Sequence, residues 1–164
     1  MTKLSDIPTT KKYNNYAFLF LRLIIGYGFM AHGYAKLSRG PEAFAKLLTQ
    51  LDIPFPHFSS WLVSLTEFFG GFAILLGVFV STTAIPLIAT MLVAMLCVHL
   101  QYGFSSVKTI GLTPTGPLFG PPGFEIDLLY IAGLVSLILT GPGAFSLDAF
   151  FKKEKPPTTK PMAV

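Results

Sequence analysis

The sequence predicts an all-α integral membrane protein, a four-helix bundle with both termini in the cytoplasm and a short interfacial amphipathic helix between spans one and two. Three observations carry that expectation. The 164 residues are 52% hydrophobic and only 12% charged, where a soluble domain carries about 25% charged residues. Apolar runs of bilayer length, roughly 20 residues, recur along the chain, and the mean hydropathy is +0.62. The net charge of +4 sits in the tails: Lys3, Lys11 and Lys12 before the first run, and Lys152, Lys153, Lys155 and Lys160 after the last. The loops instead set Arg39, Lys46 and Lys108 against Glu42 and Asp52. Basic segments stay on the cytoplasmic side, so both ends belong there, and an even number of spans follows.

Residues 1–14 read as a loosely ordered cytoplasmic tail, and 15–150 as the membrane domain. Span one covers about 15–37 and ends at Ser38-Arg39-Gly40-Pro41, since glycine and proline break helices. Arg22 interrupts the apolar run, the run is long and further spans follow, which disfavours a cleaved leader peptide. From Pro41, Phe44, Leu47, Leu48 and Leu51 recur at helical spacing with Glu42, Lys46 and Gln50 elsewhere, the pattern of an interfacial amphipathic helix or bundle cap. Span two covers 59–80, with Trp61 near its start as interfacial indoles often are. Its Gly70, Gly71 and Gly77 permit close helix approach. Span three covers 82–102 with Pro86 in its first turns. Residues 103–123 form a long Gly/Pro-rich loop. Span four covers 124–140 and stops at Gly141-Pro142-Gly143, after which Ser146 can cap a terminal turn. Residues 151–164 are a basic, Pro-rich cytoplasmic tail.

Ionisable groups inside these spans are the candidate site. Arg22, His32 and Lys36 fall within a sector of roughly 80° on span one, a face that should point into protein. With this topology His32, Lys36, Glu67, His99, Gln101, Glu125 and Asp127 form one layer toward the outer surface. Arg22 lies toward the cytoplasmic half, about 15 Å from His32 along the axis. Charges within a bilayer must pair or meet water. Glu67, flanked by Leu65, Phe68 and Phe69, has no neighbour in sequence to pair with and is the best catalytic candidate. Glu125 and Asp127 also suit a solvated helix start. His57 belongs to a solvated loop. Two histidines on different spans could ligate haem, but lone histidines more often donate hydrogen bonds, and no metal-ligand spacing is present. The single Cys97 excludes an intrachain disulfide and a CxxC redox pair, and packs as an apolar residue. The 16 Phe and six Tyr residues usually pack cores or face lipid. With His, Lys and Glu at the mouth of an aromatic pocket, they also suit a quinone head group, which needs hydrogen-bond donors and a proton route. No nucleic-acid site is read.

Arg22 followed by MAHGYAKL, then TEFFGGFAILLG, then PPGFEIDLLYIAGLVSLILTGPGAFSLD resembles the DoxX family of small bacterial membrane proteins, over about residues 16–150. The resemblance implies a four-helix protein of the bacterial inner membrane. Some relatives are linked to quinone-coupled sulfur oxidation, as thiosulfate:quinone oxidoreductase, and others to membrane oxidoreductase or redox-stress complexes. The family pattern maps onto Arg22, His32, Gly33, Lys36, Glu67, Gly70, Gly71, Glu125, Gly141, Gly143, Ser146 and Asp148. Three functions stay open on this reading. The first is a subunit of a quinone-linked oxidoreductase, with Glu67 accepting a proton, His32 or His99 bonding a quinone oxygen and Lys36 holding an anion. The second is a membrane scaffold for a soluble redox partner. The third is a small transporter or lipid-ligand binder, for which four spans would require a homo-oligomer.

Overall fold

The structure is a computed structural model that describes the backbone of residues 9–153 and the side chains of 16–151. The lysines of both tails lie outside the described side chains. Helix α1 runs Thr9–Ser38, so residues 9–14, expected to be a loose tail, are helical. The apolar helix supplies a nucleus, and adding turns to a nucleus costs little. Gly40, at φ +86°, turns the chain into α2, Pro41–Gln50, with Pro41 in its first turn. There a missing N–H costs nothing. Pro41, Ala45 and Leu48 are the buried face of α2, the spacing of one helical stripe, and α2 packs against α3.

Helix α3 spans Pro56–Leu76 and stops at Gly77, φ +73°. Val78 N–H reaches Ala73 O at 2.9 Å and Gly77 N–H reaches Ile74 O at 3.1 Å, the paired bonds of a glycine-terminated helix. Helix α4 is Val80–Ala94, with Pro86 inside. It continues as a π turn, Met95–His99, and a 3-10 turn, Leu100–Tyr102. The connector between spans two and three is therefore Gly77–Phe79, earlier than the expected Ser81.

The fold is mostly helical, and the loop expected at 103–123 holds a short hairpin. Strands β1, Thr109–Thr113, and β2, Gly116–Phe119, pair antiparallel with an irregularity between Thr109 and Gly111. A turn at Pro114-Thr115 joins two short runs holding Ile110, Leu112 and Leu118, which satisfies backbone groups that an open loop would leave to solvent. Helix α5, Glu125–Thr140, ends at Gly141, φ +80°, and α6, Leu147–Lys153, follows.

One core joins α1, α3, α4 and α5: Ile25 and Phe29, Ile74, Val80, Ala84 and Leu87, Leu134 and Leu137. Helices α1 and α3 meet at backbone distance. A Cβ on Gly26 would lie 2.7 Å from Gly71 O, and one on Gly33 would lie 2.4 Å from Phe68 N. Outward, Phe20, Ile24, Tyr27, Phe69, Ile85, Leu96, Leu129 and Leu139 are exposed. An apolar girdle of that extent needs lipid or protein to cover it. Among the described residues, three segments are long and apolar enough to cross a membrane: Tyr16–Ser38, Pro56–Leu76 and Val80–Tyr102. Helix α5, at 16 residues, is shorter than these.

Candidate functional site

The helices sort the expected polar layer into two buried pairs and several outliers. Lys36 on α1 donates to Glu67 Oε2 on α3. Glu67 is only 2% exposed, while Lys36 keeps 24% exposure and lies 5.1 Å from the Phe44 ring centre of α2. Lysine buries its stem and leaves the ammonium toward the helix end. Glu67 sits on the buried stripe Ser60, Ser64, Glu67, Gly71, Ile74, which turns its carboxylate toward α1. A carboxylate closed against an ammonium in this way serves helix register as readily as chemistry.

The second pair joins α4 to α5. His99 Nδ1 lies 2.6 Å from Asp127 Oδ2, with the histidine 27% and the aspartate 5% exposed. His99 closes the π turn. A π turn rotates the following side chains relative to a regular helix, and such turns recur at functional sites. Asp127, buried in the first turn of α5, fixes the Nδ1–H tautomer when ionised and leaves Nε2 without a partner among the described residues. Glu125, two residues earlier, is turned to the loop, where its Oε2 accepts Ser106 N–H at 3.0 Å. Ser106 Oγ donates to Gly123 O at 3.0 Å and accepts Ile126 N–H at 3.2 Å. The start of α5 is thereby clasped to the hairpin loop. Lys108 donates to Tyr102 O in the same segment.

Two expected members do not join. His32 is exposed with no recorded hydrogen bond among the described residues. It lies at the edge of the 80° sector, and the close α1–α3 seam through Gly26 and Gly33 turns that edge outward. Gln101 is exposed too, its amide donating to Val98 O at 3.0 Å, because the π and 3-10 turns rotate it off the bundle face. His57 pairs at 2.8 Å with Glu42, both well exposed. No group of three His, Cys, Asp or Glu side chains suited to a metal exists among the described residues.

At the opposite end Arg22 is 1% exposed. Its Nη2 donates to Phe145 O, and a Cβ on Gly77 would sit 1.9 Å from Nη1. Arg22 thus lies level with the α3–α4 turn. The chain after α5 folds over it. Asp148 Oδ1 accepts Phe79 N–H at 3.1 Å and its Oδ2 accepts Val80 N–H at 3.4 Å, capping α4 across the sequence. Ser146 Oγ accepts Ala149 N–H at 3.1 Å, the cap expected for α6. The cap of Asp148 on α4 is hidden in sequence, since its partner Val80 lies 68 positions away. The order Ser146-Leu147-Asp148 was its visible trace.

A mostly helical chain with three candidate spans, an apolar girdle and charged pairs closed between its helices is a small multi-pass membrane protein. The DoxX family profile matches residues 17–100, and the chain belongs to the DoxX family. An uncharacterized membrane protein of Mycobacterium tuberculosis is 29% identical over 81% of this chain and 80% of its own length. An uncharacterized protein of Haemophilus influenzae is 29% identical over 87% of this chain and 97% of its own. The inner membrane protein YqjF of Escherichia coli is 27% identical over 88% of this chain and 98% of its own. No solved structure matches. The protein is a multi-pass protein of the bacterial inner membrane and meets the lipid bilayer directly.

Proposed function

We propose that this DoxX protein serves quinone-linked redox chemistry as a component of a membrane oxidoreductase complex, with the His99–Asp127 pair bonding the quinone head group. The observation that carries the reading is the buried Asp127 holding a part-exposed His99 by Nδ1, which leaves Nε2 for a ligand. A protonated imidazole donates from Nε2 to a quinone oxygen and hands over a proton as electrons arrive. The electrons come from a partner protein of the complex. On this reading Glu67, tied to Lys36, registers the helices, and the proton role moves to the second pair. Helix α5 serves as a fourth span, about 24 Å long at ~1.5 Å per residue, and both termini are cytoplasmic. A scaffold role for a soluble partner is the second reading. It is favoured by the hairpin, whose Leu112 is 84% exposed.

The test is quinone extraction from protein purified gently out of its own membrane, with reduced-minus-oxidised ultraviolet spectra. Wild type should retain about one quinone per chain. His99→Ala and Asp127→Asn should each lower that occupancy about tenfold or more, while Lys36→Met should leave the remaining folded protein loaded. Protein free of quinone and with a flat spectrum overturns the redox reading and moves the weight to the scaffold.

A further inference from the structure

Midway along α1, the buried Arg22 holds an unfilled demand for an acceptor. Among the described residues, Arg22 Nε and Nη1 are buried with no hydrogen-bond partner, and only Nη2 is used, by Phe145 O. Leaving buried charged donors unmade costs more than leaving neutral ones. The carboxylate of Asp148 is committed to Phe79 and Val80. Among the described residues it forms no ion pair with the guanidinium. It therefore leaves those N–H groups unfilled. Ser146 Oγ is likewise engaged, with Gly143 O and Ala149 N–H.

Beside Arg22 is an open cavity of about 450 Å³, bounded by α1, the end of α3 and the chain from Ala144 to Phe150. A second groove of about 430 Å³ runs along α1, lined by Phe20, Leu23, Ile24, Tyr27 and Leu75. Leu75 borders both hollows, so one molecule can occupy both. Phe20, Ile24 and Tyr27 are about two-thirds exposed, on the surface that faces lipid. The depth fits as well. Gly77, against which Arg22 lies, belongs to the three-residue turn between two candidate spans, and such turns sit at the level of lipid headgroups.

We infer that this cavity is a binding site for an acidic phospholipid, whose phosphate accepts from the free guanidinium N–H groups and whose acyl chain lies in the groove along α1. The planar fork of arginine suits a phosphate. Helices α1 and α6, which wall the cavity, carry Lys11, Lys12, Lys152 and Lys153 in their sequences, and basic segments beside a span favour acidic over zwitterionic lipid. The inference is independent of the quinone reading, since it concerns the other end of the molecule.

The experiment uses the full chain in mild detergent, stripped of lipid, with phosphatidylglycerol, phosphatidylcholine or inorganic phosphate added. Native mass spectrometry reads occupancy and thermal unfolding reads stabilisation. Phosphatidylglycerol should stay bound at one per chain and raise the midpoint, while phosphatidylcholine and inorganic phosphate leave it unchanged. Arg22→Gln should abolish the response. Because that variant can fail to fold, Ile24→Trp fills the exposed groove instead. It should weaken phosphatidylglycerol binding about tenfold with an unchanged lipid-free midpoint. An equal response to phosphatidylcholine, a full response to inorganic phosphate alone, or unaltered binding in Ile24→Trp overturns the site.

Discussion

Lys36 and Glu67 show what a single charged contact does inside this bundle. Glu67 was legible as exceptional because an acid among Leu65, Phe68 and Phe69 cannot stay unpaired within a membrane. Its partner required the fold, since Lys36 and Glu67 are 31 residues apart and meet only because α1 and α3 touch at their glycines. Truncating one member leaves the other charge stranded. Lys36→Met should lower stability by about 3 kcal/mol, the low end for a buried pair, because the lysine is 24% exposed. Lys36→Met combined with Glu67→Leu should recover most of that loss, by a detergent melt or by steric-trap unfolding. A double variant no better than the single one would assign Glu67 a contact beyond this pair. His32 is the contrasting residue. It shares a face with Arg22 only at the margin, and a margin of one helical sector separates a bundle position from a lipid position.

At the scale of elements, the α1–α3 seam sets the geometry, and glycine positions decide it. The adjacent Gly70 and Gly71 invite the same reading in sequence, yet they differ in the fold. A Cβ on Gly71 would lie 2.6 Å from Met30 N, whereas one on Gly70 would meet Leu87 side-chain carbons at 3.1 Å and beyond. Backbone cannot retreat, but a leucine rotamer can. Gly71→Ala is expected to destabilise by about 1–3 kcal/mol, as overpacking does, and Gly70→Ala by much less. The ratio of their folded yields in detergent, or of their unfolding rates, checks this. Equal effects would mean that the seam is looser than the backbone distances imply. Gly77, grouped with them in sequence as a site of helix approach, also has a different duty: it ends α3 in a left-handed conformation and leaves room for Arg22.

Taken whole, the molecule has two ends with different character. One carries the His99–Asp127 pair, the clasp of Ser106 on Glu125 and the apolar hairpin. The other carries Arg22, the α3–α4 turn and the Asp148 cap. On the proposed topology, with both termini cytoplasmic, the hairpin lies outside. Thr115→Cys in a Cys97→Ser background should therefore react with a membrane-impermeant maleimide in spheroplasts. Protection until the membrane is opened would invert the topology and place the His99–Asp127 pair on the cytoplasmic side. The hairpin itself was hidden in sequence. Short strands rich in Gly, Pro and Thr resemble an irregular loop, and the alternation of Ile110 and Leu112 in Thr109–Thr113 is too short to stand out.

The sequence by itself determined the membrane class, the main helices, their stops at Gly40-Pro41 and Gly141-Pro142, and the family, because apolar length and breaker residues act locally. It also named Arg22, Lys36, Glu67, His99 and Asp127, because a charge within an apolar run is costly wherever the run folds. Only the tertiary structure decided who meets whom: Lys36 with Glu67, His99 with Asp127, Asp148 with the start of α4, and Arg22, among the described residues, with nothing for two of its nitrogens. Those outcomes depend on helix rotation and on backbone approach at Gly26, Gly33 and Gly71, and a rotation of a few tens of degrees moves a side chain from the bundle to the lipid without changing any local pattern.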